Sequence, residues 1–257
     1  MLPASVQFGN MALRSSNPFL KQETFDRYAY LTGVESGERM TVQGTLRKTG
    51  LLFALLIATA IGAAGVCSVQ KGLIFPVVLV GGIGGLILAL IASFKPQTAP
   101  TTAPLYAMVE GLFIGAISLV FDSRYPGIVI QAVACTLGVA AVMLVLYSTG
   151  VIKATARFKA VVLGATLGIA LVYLVSFIAG MAGARVPFLN DATPLGIGIS
   201  VFTSAVAALN LIIDFDFIET NAAEGAQKSM EWYGAFGLTV TLVWLYVEML
   251  RLLRKLR

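Results

Sequence analysis

Histidine is absent from all 257 residues. Its absence excludes Ser-His-Asp triads, the Ser/His dyad of an intramembrane serine protease, and His-ligated zinc or haem. Charge is scarce too. Asp, Glu, Lys and Arg make up 12% of the chain, where a soluble domain carries about 25%. A chain this short of charge cannot cover a water-facing surface, so a cytosolic globule, a disordered chain and a nucleic-acid binder are excluded. Cysteine is nearly missing, and Cys67 and Cys135 both sit in apolar runs, indicating neither a disulfide framework nor a thiolate metal site. No nucleophile–base pair is visible, so an enzyme is not expected.

What the chain has instead is apolar sequence: 58% hydrophobic residues and a mean hydropathy of +0.87. The net charge of +5 then reads as Lys and Arg placed at membrane edges. Residues 1–50 are polar, lack an apolar signal-peptide segment, and read as an exposed tail with one short helix. From Leu51 the chain becomes a series of apolar stretches at 51–69, 73–94, 105–121, 128–147, 161–182, 195–217 and 233–250. Each has the length that spans a hydrocarbon core of about 30 Å. The expectation is an all-α, polytopic membrane protein of seven transmembrane helices, with the membrane domain at 51–253 and a basic end at 254–257.

Small residues recur four apart: Gly81/Gly85, Gly111/Gly115, Gly164/Gly168, and Gly196, Ser200, Ser204 and Ala208. Such stripes let helix backbones approach closely in lipid. Counting Lys and Arg by loop gives eleven on the side of the N-terminus and seven on the other, which favours a cytoplasmic N-terminus. The basic C-terminus then falls on the opposite side, unless the last segment is re-entrant.

The predicted spans hold four acids (Glu110, Asp214, Asp216 and Glu248) and no Lys or Arg. Ionisable groups at membrane depth cost several kcal/mol, turn inward and mark function. Four acids without a basic partner imply protonated forms or visiting cations. Asp214 and Asp216 are about 200° apart round a helix and face opposite ways; alternatively, both are solvated at the helix end. Asn210 shares the face of Asp214, and Glu219 that of Asp216. Glu248 either pairs with Arg251 three residues on or points inward, above Thr241 and Gly234. Glu110 precedes the Gly111/Gly115 pair and serves either as a site residue or as a hydrogen-bonding contact to a neighbouring helix.

Several segments together resemble a known family. They are Arg39-Met40-Thr41-Val42-Gln43-Gly44-Thr45, Ala103-Pro104-Leu105-Tyr106 leading to Glu110-Gly111, and Tyr125-Pro126-Gly127. With them stand Leu209-Asn210-Leu211-Ile212-Ile213-Asp214-Phe215-Asp216-Phe217 and Glu231-Trp232-Tyr233, followed by Trp244-Leu245-Tyr246-Val247-Glu248. Their order and spacing are similar to a bacterial branch of the Bax inhibitor 1-like, or transmembrane Bax inhibitor motif, family. The resemblance implies two three-helix layers around a central C-terminal helix. It also implies a pH-sensitive calcium leak in the bacterial inner membrane, sensed by a pair of acids matched here by Asp216 (or Asp214) and Glu248, which would hold calcium transiently. No resident cofactor is implied.

The interval from Asp216 to Glu248 is long for that family, 32 residues. A last helix starting at Tyr233 puts Glu248 about 23 Å along it, away from Asp216; an interfacial stretch at 232–237 would bring the two together. Paired carboxyls cannot both ionise cheaply, so a shared proton would tie two helices and its loss would admit a cation. Two other readings share these residues. One is a proton-coupled transporter, though no internal repeat is visible. The other is a non-enzymatic modulator of a membrane-bound protease or of a stress or cell-death partner, docked through the 1–50 tail.

Overall fold

Thr41 starts the first helix. Its backbone is extended (φ −128°, ψ 146°) and its hydroxyl accepts from the Gly44 N–H at 2.9 Å, satisfying one of the amides a helix N-terminus leaves unpaired. In the computed structural model, which describes residues 39–181 and 191–257, the chain forms α1 (Val42–Val69), α2 (Ile74–Phe94), α3 (Ala99–Arg124), α4 (Ile128–Ser148), α5 (Ala156–Met181), α6 (Pro194–Ala223) and α7 (Met230–Leu256). All seven are long and apolar enough to cross a bilayer. The protein is an integral, multi-pass membrane protein.

Most helices begin earlier than hydropathy places them, α5 at Ala156 rather than Val161. Residues 42–50, read as tail, are the first turns of α1. Their buried polar side chains are satisfied within the helix, Thr45 Oγ1 on the Thr41 carbonyl and Thr49 Oγ1 on the Thr45 carbonyl. The expectation for residues 1–38 lies outside the described residues. Helix α3 begins at Ala99 rather than Leu105, with Pro100 in its first turn, where a missing N–H costs nothing. Pro104 lies inside the helix, which forgoes one hydrogen bond there. Helix α7 begins at Met230 instead of Tyr233.

Helices α1 and α2 both pack on α3, and α4 and α5 both pack on α6. Between these layers α7 touches α1, α3, α4 and α6. It is the most enclosed helix, and α2 and α5 are the most lipid-facing. The fold is therefore two three-helix layers around a central C-terminal helix. Near its start α7 meets the start of α1 through Glu231 and Lys48. Near its end it meets the start of α6 through Lys255 and Gly196. One continuous helix thus runs the length of the bundle, and the re-entrant alternative for the last segment is overturned.

The small-residue stripes divide. A Cβ on Gly115 would lie 2.1 Å from the Ala60 carbonyl oxygen, and one on Gly111 2.5 Å from that of Leu56, so α1 and α3 touch backbone to backbone. A Cβ on Gly164 or Gly168 would meet nothing within 4 Å, so among the described residues that pair makes no close backbone approach. Gly115→Val therefore forces two backbones apart and is expected to cost more than the roughly 1–3 kcal/mol of ordinary overpacking. Thermal denaturation in detergent checks this, and there Gly168→Ala is expected to leave the melting temperature unchanged.

Candidate functional site

The acids of α6 point to different neighbours, as two-residue spacing on a helix requires. Asp214 faces α7. A Cβ on Gly237 would lie 3.6 Å from its Oδ1, and Thr241 lies one turn further along the same face of α7. Its other oxygen, Oδ2, is buried and has no partner. Asp216 faces α5, where Lys159 Nζ pairs with its Oδ2 at 2.5 Å. Asn210 also turns to α5, donating to Thr166 Oγ1 at 2.9 Å and to the Val206 carbonyl. Glu219 accepts from the Tyr147 hydroxyl at 2.5 Å. Neither aspartate is simply solvated.

Glu248 is both inward and paired. It is 1% exposed and accepts from four donors. Tyr173 of α5 bonds Oε1 at 2.8 Å and Thr203 of α6 bonds Oε2 at 2.9 Å. Trp244 Nε1 and Arg251 NH1 of α7 each reach Oε1 at 3.3 Å. The Arg251 guanidinium also stacks over the Tyr173 ring, 4.7 Å from its centroid. A charged-acceptor network with every oxygen engaged is rigid, and here it joins three helices.

The structure does not bring Asp216 and Glu248 together. Thr203, bonded to Glu248, precedes Asp216 by 13 residues on one helix, about 20 Å of axial rise. The reason is register. Helix α7 is already helical at Met230, so Glu248 sits deep toward the far end of the bundle while Asp216 stays near the end where α7 begins. A calcium ion held by Asp216 and Glu248 at once is therefore overturned. Glu110 is in neither group. It lies between α3 and α2, where a Cβ on Gly85 would come 2.1 Å from its Oε2. Among the described residues no three acidic or cysteine side chains converge as a metal centre would need.

Two charged residues were not singled out from sequence. Glu231 is 2% exposed and holds the start of α1 to the start of α7. Its Oε1 accepts from the Thr41 N–H and hydroxyl, both at 2.9 Å, and its Oε2 pairs with Lys48 Nζ at 2.6 Å. Gly44 makes room for that carboxylate, since a Cβ there would lie 2.2 Å from Oε1. Lys48 also sits over the Trp232 ring, and Met40 N–H bonds the Ala226 carbonyl beside it at 2.8 Å. The second residue is Lys255, expected as part of a basic end at 254–257. It is buried, and Nζ donates to the Gly196 carbonyl and to Ser200 Oγ, each at 2.8 Å. Gly196 and Ser200 of the small-residue stripe thus receive an ammonium.

From the Lys255 end inward, the seam between α6 and α7 carries Lys255, the Glu248 network and then Asp214, each on named partners of both helices. Ser204, one turn past Ser200, has a buried hydroxyl without a partner. Polar groups along a central helix pair, two of them unmet, are the arrangement a passing cation could use. Against known families, a model described as Bax inhibitor 1 like matches residues 17–257. No curated protein matches the chain.

Proposed function

Since the chain belongs to the Bax inhibitor 1-like family, we propose that it is a pH-sensitive cation leak, with calcium as its cargo, gated by protonation of carboxyls inside the membrane. The observation that supports this reading best is Asp214, half-buried between α6 and α7, with one buried oxygen lacking any donor and no ion-pair partner among the described residues.

Protonated, Asp214 is a neutral group that packs against Gly237 beside Thr241, and the seam stays closed. Ionised, it leaves an unmet charge at membrane depth, which costs several kcal/mol unless water or a cation enters. Calcium accepts carboxylate and hydroxyl oxygens in flexible number, so the unmet Asp214 oxygen and the Thr241 hydroxyl suit a transient stop. Asp216 and Glu248 are further stations, each neutralised by a tethered cation, Lys159 or Arg251. A passing cation must displace that partner, which keeps the resting flux low. The loop charge count supports a cytoplasmic Thr41 end, and the bacterial inner membrane is what the family resemblance implies.

On this account calcium entry into proteoliposomes is faster at pH 8 than at pH 6. Asp214→Asn, neutral at both pH values and similar in size, holds the low-pH rate throughout. A variant that kept the full pH dependence would remove Asp214 as the sensor.

A further inference from the structure

On the lipid-facing side of α7, between α1 and α4, lies an apolar groove of about 360 Å³. Phe53, Ile57 and Ala64 of α1 form one wall, Val133 and Leu137 of α4 the other, and Tyr246 of α7 the floor. Both helices pack on α7, but they do not close over it. Ile57 and Leu137 are exposed at the rim. The groove's hydroxyls are already engaged: Tyr246 with Ser118 at 2.7 Å, and Thr136 with the Ala132 carbonyl at 2.8 Å. Such a space offers neither water nor an ion the polar partners it needs, which separates it from the α6–α7 seam.

Its position and length narrow the occupant. Residues 53–64 of α1 rise about 17 Å, close to half of a hydrocarbon core about 30 Å thick, so the groove serves one leaflet. The α4 wall begins within the first turns of that helix, at the end of the bundle that carries Lys255. There Arg257 donates to the Pro126 carbonyl at 3.1 Å and to Gln131 Oε1 at 2.8 Å, both neutral acceptors. Arg124 closes α3 beside the same turn. Neither arginine has a carboxylate partner among the described residues. Arginine recognises phosphate through several N–H donors at once, and basic groups at a membrane surface attract anionic lipid.

We propose that this groove binds one acyl chain of an anionic phospholipid from the leaflet at the Lys255 end, with Arg124 and Arg257 holding the headgroup phosphate. The site is independent of the leak.

The test uses the intact protein in liposomes with phosphatidylglycerol carrying a mid-chain diazirine, and with the matching phosphatidylcholine probe. After illumination, label from phosphatidylglycerol is expected on residues 53–64 and 129–137 at several times its level on α2 and α5. The phosphatidylcholine probe should label those segments several-fold less. Arg124→Gln with Arg257→Gln should bring the two probes level. Ala64→Phe and Val133→Phe, which fill the groove from opposite walls, should each remove the label there. Label spread evenly over all lipid-facing helices of the wild type would overturn the proposal without recourse to any variant. Equal labelling by both probes in the wild type would overturn it as well, and so would groove label that persists in a filled variant of unchanged melting temperature.

Discussion

Glu231→Leu is expected to lower the melting temperature in detergent by on the order of 10 °C. Removing one partner of a buried ion pair typically costs about 3–5 kcal/mol, and each kcal/mol shifts a chain of 150–250 residues by roughly 2–4 °C. The cost falls at the lower end because Lys48 is 18% exposed and can partly turn to water. Three donors lose their acceptor together: the Thr41 N–H, the Thr41 hydroxyl and Lys48 Nζ. The start of α1 then loses its hold on α7, so amide exchange should rise at residues 40–45 and 226–232. Glu231→Gln, whose side-chain carbonyl can still accept from Thr41, should recover about half of the loss. A double-mutant cycle with Lys48→Met isolates the pair energy. A coupling near zero would show that the contact holds nothing.

Glu248→Leu is expected to have the second largest effect, about 2–4 kcal/mol, because it strands several donors in a buried place. Its location makes the consequence specific. Helix α5 packs chiefly on α6, and among the described residues its polar ties to the bundle are Lys159 to Asp216, Thr166 to Asn210, and Tyr173 to Glu248. Of these only the last reaches α7. Without it, amide exchange should rise in the second half of α5 while α1 to α3 stay protected. Tyr173→Phe should reproduce the loosening of α5 at smaller cost, since Glu248 keeps Thr203 and Arg251. Uniform loss of protection across all seven helices would contradict this assignment.

The helices were legible because each span must carry a run of apolar residues of bilayer length. Their ends were less so. Residues 42–50 include Arg47, Lys48 and two threonines, and hydropathy reads them as water-facing; the helix there is stabilised by Thr41 and by Glu231, 190 residues away. The acids Asp214, Asp216, Glu248 and Glu110 stood out as charges in apolar sequence, and all four are partnered or enclosed within the bundle. Which of them meet could not be read, because a pairing across helices depends on axial register, and three residues at the start of α7 shift Glu248 by nearly a turn. Glu231 escaped notice because it lies at a span's edge, where an acid looks solvated. The available signal was Glu231 beside Trp232, within a segment that carried the family resemblance. For Lys255 the signal was weaker still, since Gly196 and Ser200 read as helix packing rather than as an ammonium's acceptors.

The most direct test is calcium entry into dye-loaded liposomes containing the purified protein, compared with protein-free liposomes at pH 6 and pH 8. The account predicts entry above the protein-free rate, faster at pH 8, with Asp214→Asn holding the pH 6 rate at both. Entry no faster than in protein-free liposomes at either pH would contradict the leak itself.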